Sequence, residues 1–185
     1  MKIAIILLSV VAVTQSTPCD QPQSPGTTQK CFNLQKLRRE AMMRTNEIRT
    51  KHHAQPLVEE ECLNGMAQYL AEQNAAAQKS QKSEENTRPN IGENIYHREN
   101  INGIKDEKGF NAIEDWKTEE HFYDFTAGQG WFAPHFTQLV WLETTSVGHG
   151  FAATEDCQKV YVVANYDARG NVGFAPNFVK NVLPE

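Results

Sequence analysis

The sequence predicts an α+β fold, in which helices formed early in the chain pack against strands formed late. Apolar residues recur at helical spacing through the first half, whereas alternating apolar runs of strand length appear only in the last third. Regular alternation of strand and helix, which would indicate a parallel sheet, is not present in the pattern. We therefore expect one domain with helices packed on a small antiparallel sheet.

Residues 1–17 have the features of a secretory signal peptide. Lys2 precedes an apolar run from Ile3 to Val13, and small and polar residues follow this run. The run is too short to span a bilayer, which takes about 20 apolar residues, and we expect no transmembrane segment elsewhere. The prediction is a secreted, extracellular protein; the alternative for this run is a buried N-terminal helix or strand.

The four cysteines lie outside the apolar run, and their even number suits two disulfide bonds in an exported protein. Four cysteines allow three connectivities, which sequence alone cannot separate. We favour a local Cys19–Cys31 pair that tethers an irregular leader over residues 18–33, and a long-range Cys62–Cys157 pair. Residues 34–185 then form the folded domain.

Two amphipathic helices are predicted in the first half of the chain. The first begins near Leu34 and ends before Pro56, because proline cannot continue a helix. The second follows the acidic residues Glu59 to Glu61, which suit the positive end of a helix. Their apolar faces are Leu34, Leu37, Ala41, Thr45 and Ile48 in the first, and Leu63, Met66, Ala67, Leu70, Ala71 and Asn74 in the second.

The middle of the chain alternates polar segments with short apolar ones. Residues 78–90 and 97–109 are polar and predict exposed loops, with a short segment anchored by isoleucine and tyrosine between them. Pro134 suits the first turn of a short helix over His135 to Trp141. A third amphipathic helix precedes it, with Ala112, Ile113, Trp116, Glu119 or Glu120, and Tyr123 on one face.

The last third changes to strands. Val147–Ala153 and Val160–Tyr166 are predicted strands, joined by a turn at Thr154–Asp156. Two glycines then predict a loop over 170–184. This order of helices followed by strands is the basis of the α+β prediction.

Bulk composition excludes one class of partner. The formal net charge is −5, and no stripe of lysine and arginine runs along any predicted element. The electrostatic footprint of nucleic-acid binding is therefore missing, and we expect no nucleic-acid partner.

Five segments stand in a fixed order over residues 35–178. They are RTKH followed by PL within 49–57, GENIY at 92–96, W-x-x-E-x-x-x-Y from Trp116 through Glu119 to Tyr123, HFTQLVW at 135–141, and VVANYDARGN at 162–171. Together they resemble the signatures of the CAP superfamily, which groups cysteine-rich secretory proteins, antigen 5 and pathogenesis-related proteins. The signal peptide and the paired cysteines are also similar to those of venom allergen-like proteins of parasitic worms.

The resemblance implies a three-layer α-β-α sandwich with a small, mainly antiparallel central sheet and a large cleft. It also implies a cleft tetrad of two histidines and two glutamates, and three of these positions match Glu93, Glu119 and His135. The first histidine corresponds to Thr45, which begins the segment TNEIR. Since zinc favours imidazole and thiolate ligands, this replacement predicts no metal site and no cofactor.

The motifs of hydrolytic enzymes are missing from the sequence. It contains no G-x-S-x-G elbow and no H-E-x-x-H pair, and its cysteines are expected to be oxidised. We therefore predict a non-enzymatic protein with no catalytic residue. A metal-dependent hydrolase, which would use Glu119, remains the least favoured alternative.

The favoured function is binding of a sterol or a fatty acid. An aromatic loop corresponds in position to the loop with which CAP proteins bind sterols: Phe122, Tyr123, Phe125, Trp131 and Phe132. A second mode of the family places a fatty acid between two helices, here beside Leu37, Ala41, Ile113 and Trp116. The alternative is an extracellular interaction protein that contacts a receptor through loops 78–90 and 97–109.

Overall fold

A four-stranded sheet with the order β1-β3-β4-β2 forms the centre of the computed structural model, which describes residues 31–83, 90–99, 112–130 and 132–185. β1 runs parallel to β3, and the other two pairings are antiparallel. The strands are β1 (Val58–Glu59), β2 (Gly92–Glu99), β3 (Ser146–Ala153) and β4 (Lys159–Asp167). The predicted small and mainly antiparallel sheet is confirmed.

Helices cover both faces of this sheet and complete the three-layer sandwich. α2 packs on β3 and β4 from one side, whereas α1, α3 and α4 lie on the other side. The helices are α1 (Leu34–Lys51), α2 (Glu61–Ala77), α3 (Ala112–Thr118), α4 (Pro134–Val140) and α5 (Ala175–Asn181), with a 3-10 helix (Glu119–Phe122) directly after α3. The α+β prediction is therefore confirmed.

The strand β4 divides the core into two clusters because its side chains alternate between the faces of the sheet. Tyr161 and Val163 contact the alanines of α2. Val162 and Tyr166 face the larger cluster that α1, α3 and α4 cover. Gly150 allows the close approach of α2, since a Cβ there would overlap the backbone of Ala67.

Side chains, rather than another strand, satisfy the outer edge of β3. β1 is only two residues long, so within the described ranges the groups of β3 beyond Val147 have no neighbouring strand on that side. Asn64 accepts from the amide of His149 at 2.8 Å, and Gln68 bonds both the amide and the carbonyl of Phe151. These amides protect a buried edge whose polar groups would otherwise be unpaired.

The disulfide connectivity differs from the one we favoured. Cys31 is bonded to Cys157, across 126 residues, which joins the start of α1 to the turn between β3 and β4. Cys62 is also disulfide-bonded, and Cys19 lies outside the described residues. The Cys19–Cys31 and Cys62–Cys157 pairs are therefore wrong, because sequence proximity does not show which loops the fold brings together.

Three elements were missed, namely β1, β2 and α5. β1 has only two residues, too few for a recognisable strand pattern. β2 includes residues 97–99, which we assigned to a loop; as an edge strand it exposes its polar end, so its pattern resembles a loop. α5 lies within the predicted loop 170–184, since its seven residues are too few for a clear helical period. The predicted signal peptide, most of the leader, residues 84–89 of the first predicted loop and residues 100–109 of the second lie outside the described residues. None of the described helices is long and apolar enough to cross a membrane.

Candidate functional site

Glu119 and His135 form a tightly bonded pair. Glu119 begins the 3-10 helix, and one of its carboxylate oxygens lies 2.6 Å from His135 Nδ1. Its second oxygen accepts the backbone N–H groups of His135 at 2.8 Å and Phe136 at 3.1 Å. The carboxylate therefore caps the first turn of α4 and orients the imidazole, which also stacks on Trp116 at 6.1 Å. These two predicted site residues are brought together.

Glu93 lies in β2 and is bonded to a different partner. Its carboxylate accepts the backbone N–H of Ser83 at 3.0 Å and a short hydrogen bond from the Ser83 hydroxyl. On the same strand, Asn94 donates to the carbonyl of His135 at 3.0 Å and thereby ties β2 to α4. The GENIY segment thus contributes the Glu93 side chain to the cleft, and its Asn94 holds β2 against α4.

A cavity of about 470 Å³ opens between β2, the start of α4 and the segment after β4. Its wall is mostly polar and carries both charge signs, from Lys82, Arg169 and Glu93. Gln138 lies at its base, where it accepts the amide of Gly170 at 2.8 Å. The complete lining is Lys82, Ser83, Ile91, Gly92, Glu93, Pro134, Gln138, Arg169, Gly170 and Asn171.

The glycine of GENIY has a packing role in this cavity. A Cβ at Gly92 would overlap the side-chain oxygen of Gln138, so only glycine permits the observed contact. Asn171, from the second signature, donates to the carbonyl of Pro134 at 2.7 Å and accepts from Thr137 at 2.6 Å. The matched segments therefore converge on one place in the fold.

Thr45 is not part of this cavity. It lies on the buried face of α1 with no exposed surface, and its hydroxyl has no hydrogen-bond partner in the described part of the chain. The expectation that Thr45 occupies the fourth cleft position is not met, because the apolar face of α1 packs into the core. Lys82 and Ser83 lie beside Glu93 instead. No local sequence signal could reveal them, since the contact depends on a polar segment folding back over β2.

The cleft donors do not form a ligand set for a metal ion. Among the described residues, Glu93, Glu119 and His135 are not a group whose ligand atoms lie within 4.8 Å of one another. The oxygens of Glu119 already accept from His135 and Phe136, and neither Glu119 nor His135 is among the residues that line the cavity, where Lys82 lies beside Glu93. The arrangement therefore does not fit the zinc tetrad that the resemblance implies.

Arg49 supports the cleft from within the core. It is completely buried, and its guanidinium donates to the carbonyls of Leu139, Trp141 and Thr144, each at 3.0 Å. Burial lowers the pKa of Arg49 to about 10. These bonds satisfy carbonyls at the C-terminal end of α4, where the helix itself offers no donor. Sequence analysis matched this arginine to a signature but did not predict its role.

The predicted aromatic loop is divided between core and surface. Tyr123 and Phe125 pack against Phe136 in the larger core cluster, and burial raises the pKa of Tyr123 to about 12. Phe122 and Phe132 are 63% and 75% exposed. The side chain of Trp131 lies outside the described residues. The residues proposed to hold a fatty acid, Leu37, Ala41, Ile113 and Trp116, are all buried in the core.

The exposed aromatics belong to a larger apolar surface. Five of the eight exposed large apolar side chains in the described part of the chain lie on the loop after α3 or on the segment around the start of α5. These two segments touch, because a Cβ at Gly128 would overlap atoms of Ala175 and Val179. We call this surface the apolar patch; it consists of Phe122, Phe132, Val172, Phe174 and Val179. The last three were missed because their segment was predicted as a loop.

Comparisons with known proteins agree with this arrangement. The model of the family described as "Cysteine-rich secretory protein family" matches residues 42–166. The human Golgi-associated plant pathogenesis-related protein 1 is 34% identical over 150 residues, which are 78% of this chain and 91% of that protein. Pathogenesis-related protein PR-1 of Medicago truncatula is 27% identical over 148 residues, 77% of this chain and 79% of that protein.

The solved structure of venom allergen-like protein 4 from Schistosoma mansoni is similar in fold. It has a TM-score of 0.58 and 20% identity, and the match covers 80% of this chain and 93% of that one. The family match extends from within α1 almost to the end of β4, and it includes β2 and the start of α4, which line the cavity. The chain belongs to the cysteine-rich secretory protein (CAP) family.

Proposed function

We propose that this chain is a secreted, non-enzymatic CAP protein that binds a sterol or a fatty acid at the apolar patch. The observation that carries this proposal is the exposure of three phenylalanines on two touching segments: Phe122, Phe132 and Phe174, the last 88% exposed. Soluble proteins seldom present several large apolar side chains together unless the surface binds something. A lipid tail or ring system would remove this surface from water.

The patch adjoins the polar cleft, which gives a lipid two different environments. Pro134 and Asn171 line the cavity, and each lies two residues or fewer from a patch residue in sequence. An amphipathic lipid could then bury its apolar part on the patch and direct a polar group toward Lys82 or Arg169. Binding sites of this kind combine apolar area with a few polar groups that fix orientation.

The bonding of the cleft carboxylates supports a non-enzymatic role. A general base must be free to take a proton from a substrate or a water molecule. Both oxygens of Glu119 accept hydrogen bonds from His135 and Phe136, and Glu93 accepts two from Ser83. These carboxylates therefore serve the structure of the cleft. The predicted signal peptide at residues 1–17 supports secretion. We therefore expect to recover the protein from the medium of cells that express it.

The proposal is tested by binding of radiolabelled cholesterol and palmitate to the purified protein. Replacing two exposed aromatics, Phe132→Ser with Phe174→Ser, should lower saturable uptake at least about fivefold, because most of the patch is removed while the core is untouched. Met43→Ser is the matched control, since Met43 is 58% exposed on α1 away from the patch. Saturable uptake that is absent in the unmodified protein, or equal in both variants, would contradict the proposal.

A further inference from the structure

A second histidine, His52, lies beside carboxylates outside the cleft. It follows the last residue of α1 and is completely buried. Its Nδ1 lies 2.7 Å from the carbonyl oxygen of Leu183. Because a carbonyl can only accept, Nδ1 carries the proton of this bond. The second nitrogen, Nε2, has no hydrogen-bond partner among the residues that the structure describes.

Two carboxylates face this unpartnered nitrogen. Glu120 Oε1 lies 3.8 Å and Glu185 Oε1 lies 3.7 Å from His52 Nε2, which is too far for a hydrogen bond. The three ligand atoms lie within 4.8 Å of one another, and this is the single group of three or more metal-ligating side chains found in the described part of the chain. The lone pair of a neutral His52 therefore faces negative charge.

We propose that His52, Glu120 and Glu185 bind one divalent transition-metal ion, with Zn²⁺ the best match. Zinc bonded at about 2.0–2.1 Å in a tetrahedral site separates its ligand atoms by roughly 3.3–3.4 Å. The observed separations of 3.7 and 3.8 Å from His52 Nε2 exceed this by a few tenths of an ångström. The two glutamates are partly exposed, so their side chains can rotate toward an ion bound at Nε2.

The surroundings of His52 are those of a metal ligand. Metal-binding histidines commonly donate their other ring N–H to a carbonyl or carboxylate, as Nδ1 does to Leu183. Phe136 lies edge-on to the ring at 5.1 Å, and Phe125 is stacked on it at 6.3 Å. These contacts fix the ring and shield Nε2 from water, while Glu185 leaves an entry from solvent.

Lys117 forms ion pairs with both carboxylates. Its ammonium lies 2.8 Å from Glu120 and 3.5 Å from Glu185. The side chain is one-quarter exposed and long enough to move away, so a divalent ion can displace it. Lys117 is therefore a competitor of the metal, and its removal should strengthen binding.

The test is calorimetric titration of the purified protein with ZnCl₂, with thermal unfolding as a second readout. We expect one equivalent of Zn²⁺ to bind and raise Tm, and Glu120→Gln to weaken the affinity at least about tenfold. Lys117→Met should strengthen it about threefold or more. Glu143→Gln is the matched control, because Glu143 is an exposed glutamate that also pairs with a lysine.

A variant at His135 distinguishes zinc binding at this site from zinc binding in the cleft. His135→Gln should leave the zinc affinity unchanged. Absence of zinc binding by the unmodified protein would overturn the proposal. So would an affinity that His135→Gln abolishes and Glu120→Gln preserves, because the ion would then lie in the cleft.

Discussion

Glu119 and Glu120 are consecutive residues of one 3-10 helix, yet each faces a different histidine in a different state of bonding. Glu119 lies 2.6 Å from His135 Nδ1 and also caps α4. Glu120 Oε1 lies 3.8 Å from His52 Nε2, which forms no hydrogen bond with any residue that the structure describes. Since the two carboxylates leave the helix in different directions, a single turn serves two sites.

This difference in bonding indicates that Glu119 and His135 form a structural pair, whereas Glu120 and His52 can still bind a ligand. A group whose hydrogen bonds are complete has nothing to offer a ligand without breaking them. Glu119 is in that position, and its main contribution is to hold the start of α4 and the cleft. The buried Nε2 of His52 has no such bond to any described residue, so a cation bound there would satisfy a buried polar atom.

A third histidine extends the comparison and gives the largest expected effect. His149 is completely buried, and neither of its ring nitrogens is hydrogen-bonded to a described residue. Burial, with a smaller contribution from Arg38, lowers its pKa to about 3. In the unfolded chain its pKa is about 6.5, so the unfolded state gains a proton between these values and the folded state does not. Stability should therefore fall by up to about 1.4 kcal/mol per pH unit as pH drops below 6.5.

Urea unfolding at pH 7, 6 and 5 checks this slope. His149→Leu should flatten the slope, because leucine has a similar volume and binds no proton. The exposed His97 provides the control, and His97→Gln should keep the slope of the unmodified protein. An unchanged slope in His149→Leu would show that other groups cause the acid sensitivity.

Replacing the two glutamates separately tests the central contrast. Glu119→Ala removes three hydrogen bonds and should lower the free energy of unfolding by about 2–3 kcal/mol. Glu120→Ala removes a partly exposed ion pair with Lys117 and should cost less than about 1 kcal/mol in metal-free buffer. Both values come from denaturant titration at pH 7. Equal losses for the two variants would contradict the distinction between the sites.

The smallest effect concerns Thr45, which lies in the core instead of the cleft. Thr45→Val keeps the shape of the side chain and removes a buried hydroxyl that has no partner, so we expect a gain of roughly 1 kcal/mol. Thr137→Val is the matched control, because the Thr137 hydroxyl is bonded to Ala133 and Asn171, and its removal should destabilise. A loss of stability in Thr45→Val would indicate that its hydroxyl is bonded in solution.

The sequence predicted much of the secondary structure and two partners in the cleft. Helical spacing identified α1 and α2 to within a few residues, and apolar alternation identified β3 and β4. The edge strand β2 and the short α5 were not predicted, because neither has a regular apolar period. The family signatures placed Glu119 and His135 in one cleft, whereas nothing in the sequence indicated their direct bond or the contact of Glu93 with Ser83.

By itself, the sequence determined the α+β class, the CAP signatures and the faces of the main helices, since these depend on local spacing and on matched segments. Only the tertiary structure decided the Cys31–Cys157 bond, the burial of Thr45, the apolar patch and the carboxylates around His52. Each of these joins residues far apart in the chain or distributes neighbours such as Glu119 and Glu120 between different sites. Such contacts depend on the packing of whole elements, which no periodicity in the chain records.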